Sequence, residues 1–218
     1  MKREEKSGEI KSTIIRVSRD LFFAQGYDET TIRQIIKKAD INISSLYHFF
    51  RDKEDILLHI CLDLFDVIVK SIQESYDFKR LGKDPILEFS VMSASQLYAI
   101  EKYDTVADLY FEAHNSWRIS ELMMPMVIPL YRQYFHKYNP EFTDQDYYNR
   151  VITIKGMRQS FITERVYKGK LDFEVICPYF IRTALSLFNV PRRKIEAAIS
   201  KAMVEIKSKP FRIYGLEI

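Results

Sequence analysis

The sequence predicts an all-α fold, with three N-terminal helices, the second and third of them short, followed by a larger helical body. Three observations carry that expectation. Only 6 Gly and 7 Pro punctuate 218 residues, so long uninterrupted elements are favoured. Apolar residues recur at three- and four-residue steps in one segment after another, the period of a helix buried on one side. Helix start and stop residues flank those segments.

The first pattern runs from Glu9 to Gln25, with Ile10, Ile14, Val17, Leu21 and Phe22 as its stripe, and Gly26 supplies the positive φ that ends it. Thr31-Ile32-Arg33-Gln34 is a capping box, so a short helix is expected from Ile32 to about Ala39. Asp40 tolerates the left-handed region and Asn42 is a good N-cap, which makes Asp40-Ile41-Asn42 a tight turn into a third short helix, Ile43 to Phe49. Asp52 caps a long helix from Lys53 to about Tyr76, striped by Ile56, Ile60, Leu64, Val67 and Ile68.

After a polar turn from Lys79 to Asp84, helices are expected from Pro85 to Glu101 and from Thr105 to Asn115. Ser120 to Tyr138 is helical in pattern but holds Pro125 and Pro129, so a kink or a break is expected there. Asp144 to Lys168 and Phe173 to Asn189 are split by the Gly169-Lys170 turn. Asn189 before Pro191 reads as the cap of a last helix reaching Lys207.

Composition narrows the function classes. Hydrophobic residues make up 47% and charged residues 29%, the range of a chain that folds. Cys61 and Cys177 lie far apart without a C-x-x-C partner, which argues against a disulfide framework and a thiolate metal site. No apolar run approaches a membrane span and the start has no apolar leader, so the expectation is a soluble cytoplasmic protein with no membrane partner. Residues 1–53 hold 11 basic and 8 acidic residues and the remainder 22 of each, so the whole net charge of +3 sits at the N-terminal end. That placement suits a nucleic-acid contact there.

Two short helices joined by a tight turn form a helix-turn-helix. A second helix of about seven residues is about 10 Å long and fits the major groove end-on. Leu46, Phe49, Ile32, Ile35, Phe22 and Ile41 supply a small core that fixes its angle, which leaves Ile43, Ser44, Ser45, Tyr47 and His48 to face outward. The order Leu21-Phe22, Gly26-Tyr27, Thr30-Thr31, Ile32 and Ile35, Ala39, Leu46-Tyr47-His48-Phe49-Phe50 and Lys53-Glu54-Asp55-Ile56 resembles the DNA-binding domain of the TetR family. The turn Asp40 and the recognition-helix Ser44 stand where that family commonly has glycine.

The resemblance implies an N-terminal helix-turn-helix DNA-binding domain over residues 1–52 and a helical effector-binding and dimerisation domain over residues 53–218. It implies a ligand-responsive transcriptional regulator, a repressor released from a palindromic operator by a small apolar or aromatic effector. The partners are then double-stranded DNA, a small molecule and a second copy of the chain, with no cofactor. By the same resemblance Ser45, Tyr47 and Lys53, with the amides opening the Lys53 helix, contact phosphates, and Thr31 and Arg33 hold the other flank. Sequence is then read by Ile43, Ser44 and His48, with Ile43 against a thymine methyl and Arg33 the one candidate for a strong guanine contact. Each of these residues also has an ordinary structural role open to it, Tyr47 as a core aromatic and Arg33, Lys53 and His48 as solvated surface.

In the body, Met92, Tyr98, Tyr110, Phe111, His114, Trp117, Met123, Met126, Tyr134 and Phe161 supply the apolar surface, adaptable thioethers and polar tips of a ligand pocket, or simply core. The helices from Asp144 to Lys168 and from Phe173 to Asn189 are expected to form the dimer surface, with Gly156 allowing close approach. Catalysis finds little support. The histidines at 48, 59, 114 and 136 have no metal-ligand spacing with the cysteines, and no phosphate loop or nucleophile motif is present. The remaining alternative is a helical small-molecule-binding protein that does not bind DNA.

Overall fold

The computed structural model describes residues 2–63, 84–208, 212–213 and 216–217. Leu64, Val67, Ile68, the expected end of their helix at Tyr76 and the start of the turn at Lys79 lie outside the described residues.

Ten helices follow in order among the described residues: α1 (Lys2–Gln25), α2 (Ile32–Ala39), α3 (Ile43–Phe49), α4 (53–63 as described), α5 (Pro85–Lys102), α6 (Asp104–Asn115), α7 (Trp117–Phe135), α8 (Asp144–Lys168), α9 (Phe173–Ser186) and α10 (Arg192–Ser208). A single 3-10 turn (His136–Tyr138) follows α7. A two-residue antiparallel pairing of Arg212–Ile213 with Leu216–Glu217 (β1 and β2) is the only extended structure described.

Helices α1 to α3 pack as a small head, and α1 also lies against α6 of the body. The head core is closed. Ile14, Phe22, Ile35 and Leu46 are each fully buried, and Phe49, Ile32 and Ile41 pack partly buried against them. In the body, α5 is sheathed by α9 and α10 on one side and by α6 to α8 on the other, which explains why almost its whole length is buried.

Pro125 and Pro129 neither break α7 nor divide it. Four residues apart, both sit on its exposed face, so the carbonyls they leave without a partner remain open to water. At the end of α7, Phe135 stacks on Phe188 at 4.2 Å, with Phe89, Tyr131 and Tyr147 around the pair. Asn139 locks this aromatic cluster. Fully buried, its amide donates to Phe135 O and Phe188 O at 3.0 and 2.8 Å and accepts from Asn189 at 2.7 Å.

One expectation is corrected here. Asn189 does not cap α10 but closes the turn after α9 at φ 54, with its own amide on Ser186 O. Pro191 opens α10 instead, accepting from the amides of Lys194 and Ile195. Asn tolerates the left-handed region, and a residue in that conformation ends a helix.

Candidate nucleic-acid interface and ligand cavity

The head's turns are held by side chains that match its free backbone groups. Gly26 takes φ +90 at the end of α1. The Gln34 amide donates to Thr31 Oγ1 at 3.3 Å, and Gln34 Oε1 accepts from the Thr31 amide at 2.7 Å, so both halves of the capping box are present. Asp40 sits at φ 53, ψ 50 and returns its amide to Lys37 and Ile36. Asn42 Oδ1 then accepts from Ser45 N at 2.7 Å to start α3. Each contact is local, and together they set the angle between α2 and α3.

On α3, Leu46 points inward at 0% exposure, whereas Ile43 and Tyr47 stand out at 50% and 52%. Ser44 and His48 are also exposed and Ser45 is half-buried. Thr31 and Arg33 are exposed at the start of α2, although the Thr31 hydroxyl is engaged in its cap. The structure thus brings Arg33, Ile43, Ser44, Tyr47 and His48 to the surface of one small domain, on two adjoining helices.

Lys53 has a different setting. Its Nζ donates to Tyr27 O at 2.7 Å and Thr30 O at 3.1 Å and lies 4.0 Å over the Tyr27 ring. Burial lowers its pKa. The same ammonium that could meet a phosphate therefore ties the α1–α2 loop to α4. At the start of α4, Asp52 Oδ1 accepts the Asp55 amide at 2.7 Å. Arg118, at the start of α7, pairs with Asp52 and Asp55 at 3.2 and 2.7 Å and lies 3.6 Å from Glu54, which accepts from Ser116 Oγ at 2.6 Å. These contacts link head to body.

A cavity of about 180 Å³ opens within the body. Cys61 of α4, Met92 and Gln96 of α5, Tyr110 and His114 of α6, Ile119, Ser120, Met123 and Tyr131 of α7, and Ile154, Lys155 and Arg158 of α8 line it, among others. His114 Nδ1 lies 2.9 Å from Tyr110 O; against a carbonyl that nitrogen must donate, which leaves Nε2 as an acceptor. Burial, reinforced by the Arg158 charge, pushes the His114 pKa down to about 3, so the ring is neutral at pH 7. Burial also pushes the Tyr110 hydroxyl and the Cys61 thiol up to about 12, which leaves the thiol protonated and unreactive.

Of the ten residues expected to line a pocket, Met92, Tyr110, His114 and Met123 meet in this cavity. The other six lie elsewhere, most of them with partners of their own. Tyr98 packs edge-on to Phe173, Phe111 to Tyr167 and Phe161 to Tyr179. Tyr134 is buried and donates to Glu88 at 2.9 Å. Trp117 and Met126 are 71% and 41% exposed. Sequence reasoning passed over Cys61, Gln96, Lys155 and Arg158. A signal for Arg158 exists, because Val151, Ile154, Arg158, Ile162 and Arg165 fall on one helical stripe that is otherwise apolar.

The opposite face of α8 is open. Ile152, Gly156, Ser160 and Tyr167 are exposed along it, and Val175 and Tyr179 extend the patch onto α9. Among the described residues no helix is long and apolar enough to cross a membrane, and no cluster of His, Cys, Asp and Glu could hold a metal ion.

Residues 14–60 match the family model for bacterial regulatory proteins of the tetR family. An HTH-type transcriptional regulator of Staphylococcus aureus (strain MRSA252) is 24% identical over 175 residues, which cover 77% of this chain and 83% of that one. A second, from strain USA300, is 24% identical over 127 residues, 50% of this chain and 69% of the other. Among solved structures, RolR in complex with resorcinol matches with a TM-score of 0.66 at 16% identity, over 96% of this chain and 98% of RolR. SmeT, the repressor of the Stenotrophomonas maltophilia multidrug efflux pump SmeDEF, matches with a TM-score of 0.56 at 12% identity, over 81% of this chain and 88% of SmeT. At such identities the structural likeness is one of fold.

Proposed function

We propose that this chain, a TetR-family transcriptional regulator through its residues 14–60, is a cytoplasmic repressor that binds a palindromic operator as a homodimer and leaves it when a small molecule fills the body cavity. The observation that carries this reading is a single helix, α7. Its Arg118 grips the carboxylates at the start of α4, while Ile119, Ser120 and Met123 in the next turn line the cavity.

An occupant that displaces the start of α7 therefore pulls on the head. Two heads reading one face of DNA must lie about 34 to 36 Å apart. A change in their separation lets only one dock at a time, and affinity falls with the loss of the second half-site. RolR was solved with resorcinol and SmeT is described as a repressor, which supports the same assignment here.

In the proposed complex α3 enters the major groove. Ile43 meets a thymine methyl, Ser44 and His48 complete the base contacts, and Arg33 is the one side chain suited to a bidentate guanine contact. Ser45, Tyr47 and Thr31 position the head on phosphates. The part of Lys53 is to hold the loop before α2, so its effect on binding is indirect. The exposed stripe of α8 and α9, from Ile152 through Tyr179, forms the dimer face, and Gly156 lets two copies of α8 approach.

Selection of bound duplexes from a random pool tests this reading. A palindromic product with half-sites one helical turn apart, or a multiple of it, is expected. Recovery of no enriched sequence would mark the chain as a ligand-binding protein that does not act on DNA.

A further inference from the structure

Resting on the reading of the cavity as the effector site, we infer that the effector is a small organic anion, a single-ring or similarly sized apolar body carrying one carboxylate that Arg158 and Lys155 receive. The observation is a mismatch of charge. Among the described residues the cavity wall includes two basic side chains and no acidic one.

The other arginines of α7 to α9 show what the fold does with a guanidinium it uses structurally. Arg118 pairs with Asp52 and Asp55, Arg132 with Asp144, Arg150 with Asp146, Arg165 with Asp104 and Arg182 with Glu196. Arg158 departs from that rule. Among the described residues it has no carboxylate partner, and its guanidinium carbon lies 5.0 Å from the centroid of the Phe180 ring. Its Nε is buried and donates to nothing.

Lys155 stands one turn before it on the same wall and forms no ion pair among the described residues. Burial alone lowers its pKa, with no acid opposing the shift. Two half-buried cations side by side without an anion are held at a cost, and an incoming carboxylate relieves both through charge-assisted hydrogen bonds. A neutral ligand of the same shape leaves them as they are.

Size and lining set the rest of the molecule. An apolar cavity of about 150 Å³ takes one benzene ring, so about 180 Å³ takes a ring and a carboxylate but not a fused polycycle. Met92, Met123, Met124, Val127, Leu130 and Ile154 give the body apolar walls, and the thioethers adapt to its outline.

The test is calorimetric titration of the full chain at pH 7 with benzoate and 3-phenylpropanoate, each beside its isosteric amide, and with resorcinol as a neutral ring. At least one carboxylate is expected to bind about tenfold or more tightly than its amide, the smaller end of what a charged hydrogen bond contributes. Arg158→Met is expected to remove most of that preference and Arg158→Lys to keep part of it. The amides or resorcinol binding wild-type chain as tightly as the carboxylates, or none of the carboxylates binding at millimolar concentration, overturns the inference without any variant. So does a carboxylate preference that survives in the Lys155→Met, Arg158→Met double variant. Operator affinity measured alongside separates the two proposals. A carboxylate that binds and leaves DNA affinity unchanged contradicts release by the cavity occupant, whereas a neutral ring that binds as tightly and does release DNA contradicts only the anion.

Discussion

The head and the cavity treat polar groups in opposite ways. In the head and the first turn of α4, the backbone amides at the starts of α2, α3 and α4 meet Thr31, Asn42 and Asp52, and the Lys53 ammonium meets the carbonyls of Tyr27 and Thr30. In the cavity wall, Gln96 Oε1 and Arg158 Nε are buried and bond to nothing in the described structure. Apart from the Ser18 hydroxyl, buried without a partner on α1, the head is thus a closed unit whose capped turns set its shape, and the residues proposed to meet DNA lie on its outside. The body leaves hydrogen-bonding capacity unused around a space, which on the proposed reading a small molecule fills. A buried group left unmatched destabilises the chain, and beside a cavity an incoming ligand can supply the missing partner.

The comparison breaks first if the head is not the closed unit described. Leu46→Ala empties a fully buried position and is expected to cost about 3 kcal/mol, read as a lower denaturant midpoint and lost DNA binding. A loss under about 1 kcal/mol would mean the head core collapses around the gap and is loosely packed.

The next effect comes from the cavity side. With its pKa held near 3, His114 stays neutral in the native state, while the unfolded chain takes up a proton below the ordinary value near 6.5. Stability therefore falls as pH drops through that window, by about 2 kcal/mol between pH 7 and pH 5. Chemical denaturation at both pH values measures the drop, and His114→Phe is expected to lessen it by that amount.

Two arginines on one face of α8 sharpen the contrast. Arg165, 7% exposed, donates to Glu101 O and Asp104, so Arg165→Met is expected to destabilise by about 1–2 kcal/mol. Arg158→Met removes an unpaired charge and is expected to stabilise by up to about 1 kcal/mol. Equal losses from both would erase the distinction between a structural and a ligand-directed guanidinium. Last, Thr31→Ala is expected to cost about 1 kcal/mol as a lost cap, seen as a small shift in thermal midpoint.

What could be read from the sequence follows the range of the interaction. The capping box at Thr31, the left-handed Asp40 and the cap at Asn42 are decided within four residues, and the structure has each of them. Helix period likewise marks α8 from Asp144 to Lys168. Asn189 departs from the sequence expectation because the same residue type serves both a cap and a left-handed turn; here it takes φ 54, and its side chain donates to Asn139, 50 positions away, a contact no local pattern reveals. The cavity depends on which faces of five helices meet, so Tyr98, Phe111 and Phe161, alike in composition to Tyr110, find ring partners elsewhere. Lys53 shows the same limit: its contacts at Tyr27 and Thr30 are invisible to local pattern.

The central claim is that α3 is presented to enter a groove of duplex DNA, and equilibrium binding of the full chain to a selected palindromic duplex across a salt series tests it most directly. Two docked heads neutralising six or more phosphates are expected to lose about 1,000-fold in affinity between 50 and 200 mM salt, and Ile43→Ala to weaken binding most on duplexes that carry thymine at one half-site position. Binding that is absent, or that ignores both salt and the Ile43 substitution, would contradict the account.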